Sequence, residues 1–133
     1  MAQTDAVTVW VDNGAALAAT TELGGGTNLS GNIWTLVAAV YRQLTAITSD
    51  TDDYYTLAIH KVTAEGTHTT AMATATLQTT ALSAYVPLAL TLDGTAASLA
   101  LAHGQSFNCL ATKVSSAPNL DASGRWTLVF AQS

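Results

Sequence analysis

Three histidines, two glutamates, one cysteine and a run of three glycines are the first places to look for chemistry in this chain. A metal site wants closely spaced His ligands joined by a carboxylate. His60 has Val62, not a second histidine, as its same-face neighbour on a strand, and His68 and His103 fall at turns. They read as isolated side chains. Asp50, Asp52 and Asp53 form an oxygen-rich loop of the kind that binds calcium, but the spacing completes no EF-hand and no glutamate stands nearby. A solvated turn is the reading there. Glu22 and Glu65 both lie in loops, so a converging carboxylate pair for glycoside hydrolysis is not legible. Gly24-Gly25-Gly26 does not sit between a strand and a helix, so it reads as a flexible linker and not as a phosphate cradle. Cys109 has no partner for an intrachain disulfide and packs as a small hydrophobe. Gly-x-Ser-x-Gly, Walker A, His-Glu-x-x-His and Cys-x-x-Cys patterns are all missing from the sequence. The expectation is a protein without catalytic, cofactor-binding or metal-ligating residues, and not an enzyme.

The elements that would carry these residues read as strands and turns. Val7 to Val11 alternates and stops at Asp12-Asn13-Gly14, a strong turn signal. Ile33 to Leu44 is the longest strand expected. One of its faces carries Ile33, Thr35, Val37, Ala39 and Tyr41; the other carries Trp34, Leu36, Ala38, Val40, Arg42 and Leu44. Both are apolar, as in a central strand or one covered by a neighbouring subunit. Tyr55 to Val62 alternates again. Gly66 to Thr80, rich in Ala and Thr, reads as a weak strand. Val86 to Leu92 follows, placed at an edge by Pro87, which has no donor for a ladder. A short Ser98–Leu101 segment precedes Phe107–Val114, and Arg125–Ala131 closes the chain. About eight strands with no βα alternation predict an all-β, antiparallel β-sandwich, jelly-roll-like fold. Residues 1–30 read as an N-terminal arm, or as a first strand plus a Gly-rich linker, and 31–133 as the sandwich domain.

Composition narrows the function classes. Half of the 133 residues are hydrophobic and only 10% are charged, against about a quarter in an ordinary soluble domain. Thr, Ser, Asn, Gln and Ala must cover the surface, and such a surface can stay in water or be buried against other protein subunits at low desolvation cost. A net charge of −5, with the basic residues Arg42, Lys61, Lys113 and Arg125 scattered, argues against nucleic acid. The N-terminus lacks a signal peptide's basic and apolar regions, and no apolar run approaches the roughly 20 residues of a membrane span. Aromatic side chains suit core packing, an interface or a sugar platform. Trp126 fits the core by periodicity, and Trp34, on the second apolar face of its strand, is the expected intersubunit anchor.

From Gly31 to Phe130 the chain resembles small virion proteins of tailed bacteriophages. Gly31-Asn32-Ile33-Trp34 opens a strand after a Gly-rich segment. Asp53-Tyr54-Tyr55-Thr56-Leu57-Ala58-Ile59-His60-Lys61 and Tyr85-Val86-Pro87-Leu88-Ala89-Leu90-Thr91-Leu92 resemble two further strands of that group. Leu99 to Phe107 resembles its turn before a jelly-roll strand, and Arg125 to Phe130 its closing strand. The resemblance implies a head decoration, or cement, protein. It would be made in the host cytoplasm and bind the major capsid protein on the outer surface of the virion as a homotrimer, needing no cofactor, nucleic acid or membrane. An N-terminal arm, here within residues 1–30, often reaches the capsid or a neighbour in such proteins. Val7, Val9, Trp10, Val11, Leu23, Leu29, Trp34 and Tyr41 are the expected capsid or subunit contacts. The alternative is a glycan-binding or adhesion module of a phage fibre or head; a jelly-roll hydrolase or lyase is the third class.

Overall fold

The computed structural model describes residues 5–63 and 68–133. Glu65 and Gly66, and the first four residues of the 1–30 segment, lie outside them. In chain order the described strands are β1 (Asp5–Asp12), β2 (Thr21–Thr27), β3 (Trp34–Arg42), β4 (Tyr54–Val62), β5 (His68–Thr76), β6 (Leu88–Ala89) and β7 (Thr91–Leu92). A single helical turn α1 (Ala96–Leu99) leads to β8 (Ala100–Leu101), β9 (Ser106–Val114) and β10 (Arg125–Gln132). One sheet runs β1-β10-β3-β6, with β8 also paired to β3; the other runs β2-β9-β4-β5-β7. The pairings are antiparallel. In each sheet one of the last two long strands slots between two of the first four: β10 between β1 and β3, β9 between β2 and β4. That order is a jelly roll, the expected all-β sandwich.

Strand alternation sorts the side chains. β1 sends Val7, Val9 and Val11 inward and Thr8, Trp10 and Asp12 outward. β10 buries Trp126, Leu128 and Phe130; β4 buries Tyr55, Leu57 and Ile59; β9 buries Phe107, Cys109 and Ala111. These interlock as one core, with Phe107 and Phe130 ring centroids 5.6 Å apart. Leu90 marks the place where the chain leaves the first sheet (β6 on β3) for the second (β7 on β5). Pro87 stands immediately before β6, as a residue without a ladder donor should.

Three details bear on the sequence expectations. Of the two readings of residues 1–30, the described part holds the first strand and not an arm: β1 pairs with β10 from Asp5 to Asp12, and β2 lies on β9. The glycines are not a linker. They belong to β2, whose pairing shifts register between Gly24 and Thr27. A Cβ on Gly25 would collide with the ring and carbonyl of Phe107, so the glycine permits close approach of backbone to a core aromatic. The third detail is the double apolar face of β3. Its register against β10 shifts, with Val129 opposite Ala38 and Phe130 opposite Leu36. This bulge leaves Val37 over and reverses the phase of alternation. Leu36 points inward before it, and Ala39 and Tyr41 after it.

Candidate functional site

Among the described residues singled out for chemistry, the fold joins one pair from distant parts of the chain, His68 and Glu22, which stand on β5 and β2 and not at a turn and in a loop. His103 Nδ1 lies 3.0 Å from the Ser30 carbonyl oxygen. His68 Nδ1 lies 2.9 Å from Glu22 Oε1, which also accepts a hydrogen bond from Asn108 Nδ2. His60 stands on the outer face of the second sheet, opposite Asn108 and Ala71. Asp50 Oδ1 accepts the backbone N–H groups of Asp52 and Asp53, which hold its carboxyl below the usual range, and Asp53 Oδ1 accepts from the Ser116 N–H. Asp50 caps its own loop, and Asp53 ties that loop to the one at Ser116. Burial pushes the Cys109 thiol up, so it carries little of the thiolate that reacts. Among the described residues no group of three or more His, Cys, Asp or Glu is placed to hold a metal ion. No described helix is long and apolar enough to cross a membrane.

The eight expected contact residues divide three ways. Trp10 is 59% exposed and Leu29 73%. Val7, Val9, Leu23 and Trp34 are partly buried against the core. Trp34 is turned inward by the phase of β3 ahead of its bulge. Its ring tilts over Phe130 at 5.7 Å and its Nε1 donates to Gln132 Oε1 at 3.0 Å. Val11 and Tyr41 are buried, and as outward contacts they are corrections. Tyr41 is fully enclosed because its hydroxyl joins a polar chain at one end of the core. It accepts from Asn13 Nδ2 at 2.9 Å and donates to Gln43 Oε1 at 2.8 Å. Asn13 Oδ1 accepts from Trp126 Nε1, and Gln43 Oε1 accepts from the Asp121 N–H. Gly124 closes over this chain, where a Cβ would collide with Tyr41 and Asn13.

Two outward faces remain. On the first sheet, register places Trp10, Thr127 and Val40 in one outward row. The next outward row is Asp12, Arg125 and Arg42. With Pro87 from the β6 edge, five of these (all but Asp12) line a shallow pocket of about 210 Å³. Arg125 Nε donates to Asp12 Oδ1 at 2.7 Å, which holds the Asp12 carboxyl below its usual range. Arg42 is exposed and, among the described residues, its guanidinium has no ion-pair or hydrogen-bond partner. Val37 at the bulge is also exposed, as are Tyr85 and Val86 just before Pro87. Tyr85 is held at φ 64°, uncommon for a bulky residue. The sequence reading named Trp10 but missed this arginine row. Its signal was the shared phase of Trp10 with Asp12 on one strand and of Arg125 with Thr127 on another.

The second sheet's outer face is flatter in chemistry. Thr56, Thr76 and Thr112 share one row, and Ala58, Thr74 and Leu110 the next. With Thr79 and Thr91 at the edge they border an open groove of about 730 Å³. His60 is the titratable side chain lining it.

Compared with protein-family models, with curated proteins and with solved structures, the chain matches none.

Proposed function

We propose that this protein is a structural component of a virion, binding the outer surface of a capsid as a homotrimer and bracing the shell. The observation that carries the reading is the outward face of β1-β10-β3, where an exposed Trp10 lies beside Val40, Pro87 and two arginines on a surface otherwise poor in charge. Trp, Tyr and Arg are the residues on which binding energy concentrates at protein interfaces. A jelly roll is a fold of capsid and lectin domains, and fold alone selects no function. The choice of a capsid draws on the resemblance of Gly31–Phe130 to phage virion proteins. Contacts repeated by symmetry supply avidity even when each is weak. The test is the solution mass, expected at three times the 13.7 kDa chain, together with co-sedimentation with expanded empty phage shells. Trp10→Ala is expected to cut shell occupancy by at least about tenfold; a monomer that fails to sediment with shells overturns the reading.

A second reading, a glycan-binding or adhesion module, draws on the threonine-lined groove of the second sheet, whose hydroxyls match an uncharged sugar's hydrogen-bonding groups. Glycan binding that is indifferent to Trp10→Ala, without shell binding, would favour it.

A further inference from the structure

We propose that the Trp10 pocket is a receptor for a carboxylate-bearing segment of a partner protein, an Asp or Glu flanked by apolar side chains. The inference rests on the docking reading above and names the chemistry of what docks.

The charges within a single row do not balance. Asp12, Arg125 and Arg42 face outward on neighbouring strands, one carboxylate against two guanidiniums. Arg125 and Arg42 are cross-strand partners, and like charges directly opposite destabilise a sheet. Asp12 engages Arg125 through its two oxygens, at 2.7 and 3.5 Å. A guanidinium has five N–H donors in a fixed fork. Asp12 therefore leaves donors on Arg125 unfilled, and the Arg42 guanidinium has no partner among the described residues. A second carboxylate arriving from outside would alternate the charges along the row and give Arg42 a planar, bidentate partner. In a chain of net charge −5 with four basic residues, two of them meet here. The site attracts anions although the molecule as a whole repels them.

The apolar walls favour a peptide over an acidic sugar. Val40 and Pro87 line the pocket, and Val86 extends the apolar surface beyond it. Apart from the arginines, Thr127 and the Trp10 indole N–H are the lining groups that can hydrogen-bond a hydroxyl, fewer partners than a sugar's several hydroxyls ask for. The apolar walls match an aliphatic side chain next to the acid, with Trp10 as the broad contact.

The experiment is a titration of the full chain, ¹⁵N-labelled, with a nonapeptide of alternating leucine and glutamate, and with the same peptide carrying glutamine for glutamate. The Trp10 indole N–H signal and the Arg42 side-chain signal report the site directly. The glutamate peptide is expected to shift both, and the glutamine peptide to bind about tenfold more weakly or not at all. Arg42→Gln and Trp10→Ala are each expected to weaken the glutamate peptide by about tenfold or more. Raising salt from about 50 to 200 mM should weaken it severalfold. Equal binding of the two peptides, or indifference to Arg42→Gln, overturns the proposal. So does tighter binding of N-acetylneuraminic acid at the same signals, which would make this an acidic-sugar site. Shell sedimentation separates this proposal from the one beneath it. Loss with Trp10→Ala but not with Arg42→Gln keeps the docking face and overturns the carboxylate; loss with neither variant overturns both.

Discussion

The two faces of the sheet β1-β10-β3 are made by the same strands, one residue out of phase, and they differ in how completely their polar groups are answered. On the inner face Val11, Trp126 and Tyr41 are buried, and the indole and phenol both end in hydrogen bonds. No buried side-chain N or O atom among the described residues lacks a partner. On the outer face Trp10 is open, Arg125 is partly answered by Asp12, and the Arg42 side chain has no partner among the described residues. The difference teaches where each face's free energy is realised. The inner face completes its contacts on folding. The outer face keeps contacts to be made on binding, and this division is open to test from both sides.

The sharpest test pairs the two tryptophans. Trp126→Ala removes a fully enclosed ring and the donor that Asn13 Oδ1 accepts from, and is expected to cost about 3–5 kcal/mol. Trp10→Ala is expected to change stability by less than about 0.5 kcal/mol while weakening binding. Denaturant melts of both variants decide it. A Trp10→Ala variant as unstable as Trp126→Ala would show that the outer face also holds the fold together.

A smaller effect sharpens the inner face. Tyr41→Phe keeps the ring packed on Trp126, at a centroid distance of 5.1 Å, but leaves Asn13 Nδ2 and Gln43 Oε1 each short of one partner. The expected loss is about 1–3 kcal/mol. The same phenol sets a pH dependence. Burial pushes its pKa up in the folded state, so the folded protein holds the proton that the unfolded chain releases near pH 10. The stabilisation is fully present below that pH and is lost as pH rises further. Thermal melts across the alkaline range should fall less steeply in Tyr41→Phe than in the parent. Equal slopes would remove Tyr41 as the cause.

These faces were unevenly legible in the sequence. Period-2 alternation in Val7–Val11, Tyr55–Val62 and Phe107–Val114 carried the strands and the sandwich, because one side of each is buried. Three features did not follow from alternation. The β3 bulge reverses phase, so Trp34 reads as outward and turns inward, and Tyr41 sits on the core side. Gly24–Gly26 lacks side chains to alternate, and only the approach of Phe107 explains a strand there. The arginine row joins residues 12, 42 and 125, far apart in the chain, and register across three strands is set by tertiary pairing. Local pattern shows which residues share a phase on one strand, but not which strands stand side by side.

Asp12 gives the smallest effect on folding and the clearest sign on binding. Its carboxylate is exposed, and exposed ion pairs contribute little to stability. Arg125 holds its pKa down in the folded state, so whatever it contributes is present above the unfolded value near pH 3.9 and fades as pH falls through the lower folded value. Asp12→Asn should therefore leave the melting temperature at neutral pH essentially unchanged. On the outer face the same substitution removes the one negative charge of the row and frees Arg125. If the row is built to receive a carboxylate, Asp12→Asn tightens the glutamate peptide severalfold while Arg42→Gln weakens it. Opposite signs from two exposed residues in one row are hard to obtain from general damage to a surface. Weaker binding in Asp12→Asn would mean that the Asp12–Arg125 pair positions the pocket and does not compete with the ligand, and the charge argument for the site would fail.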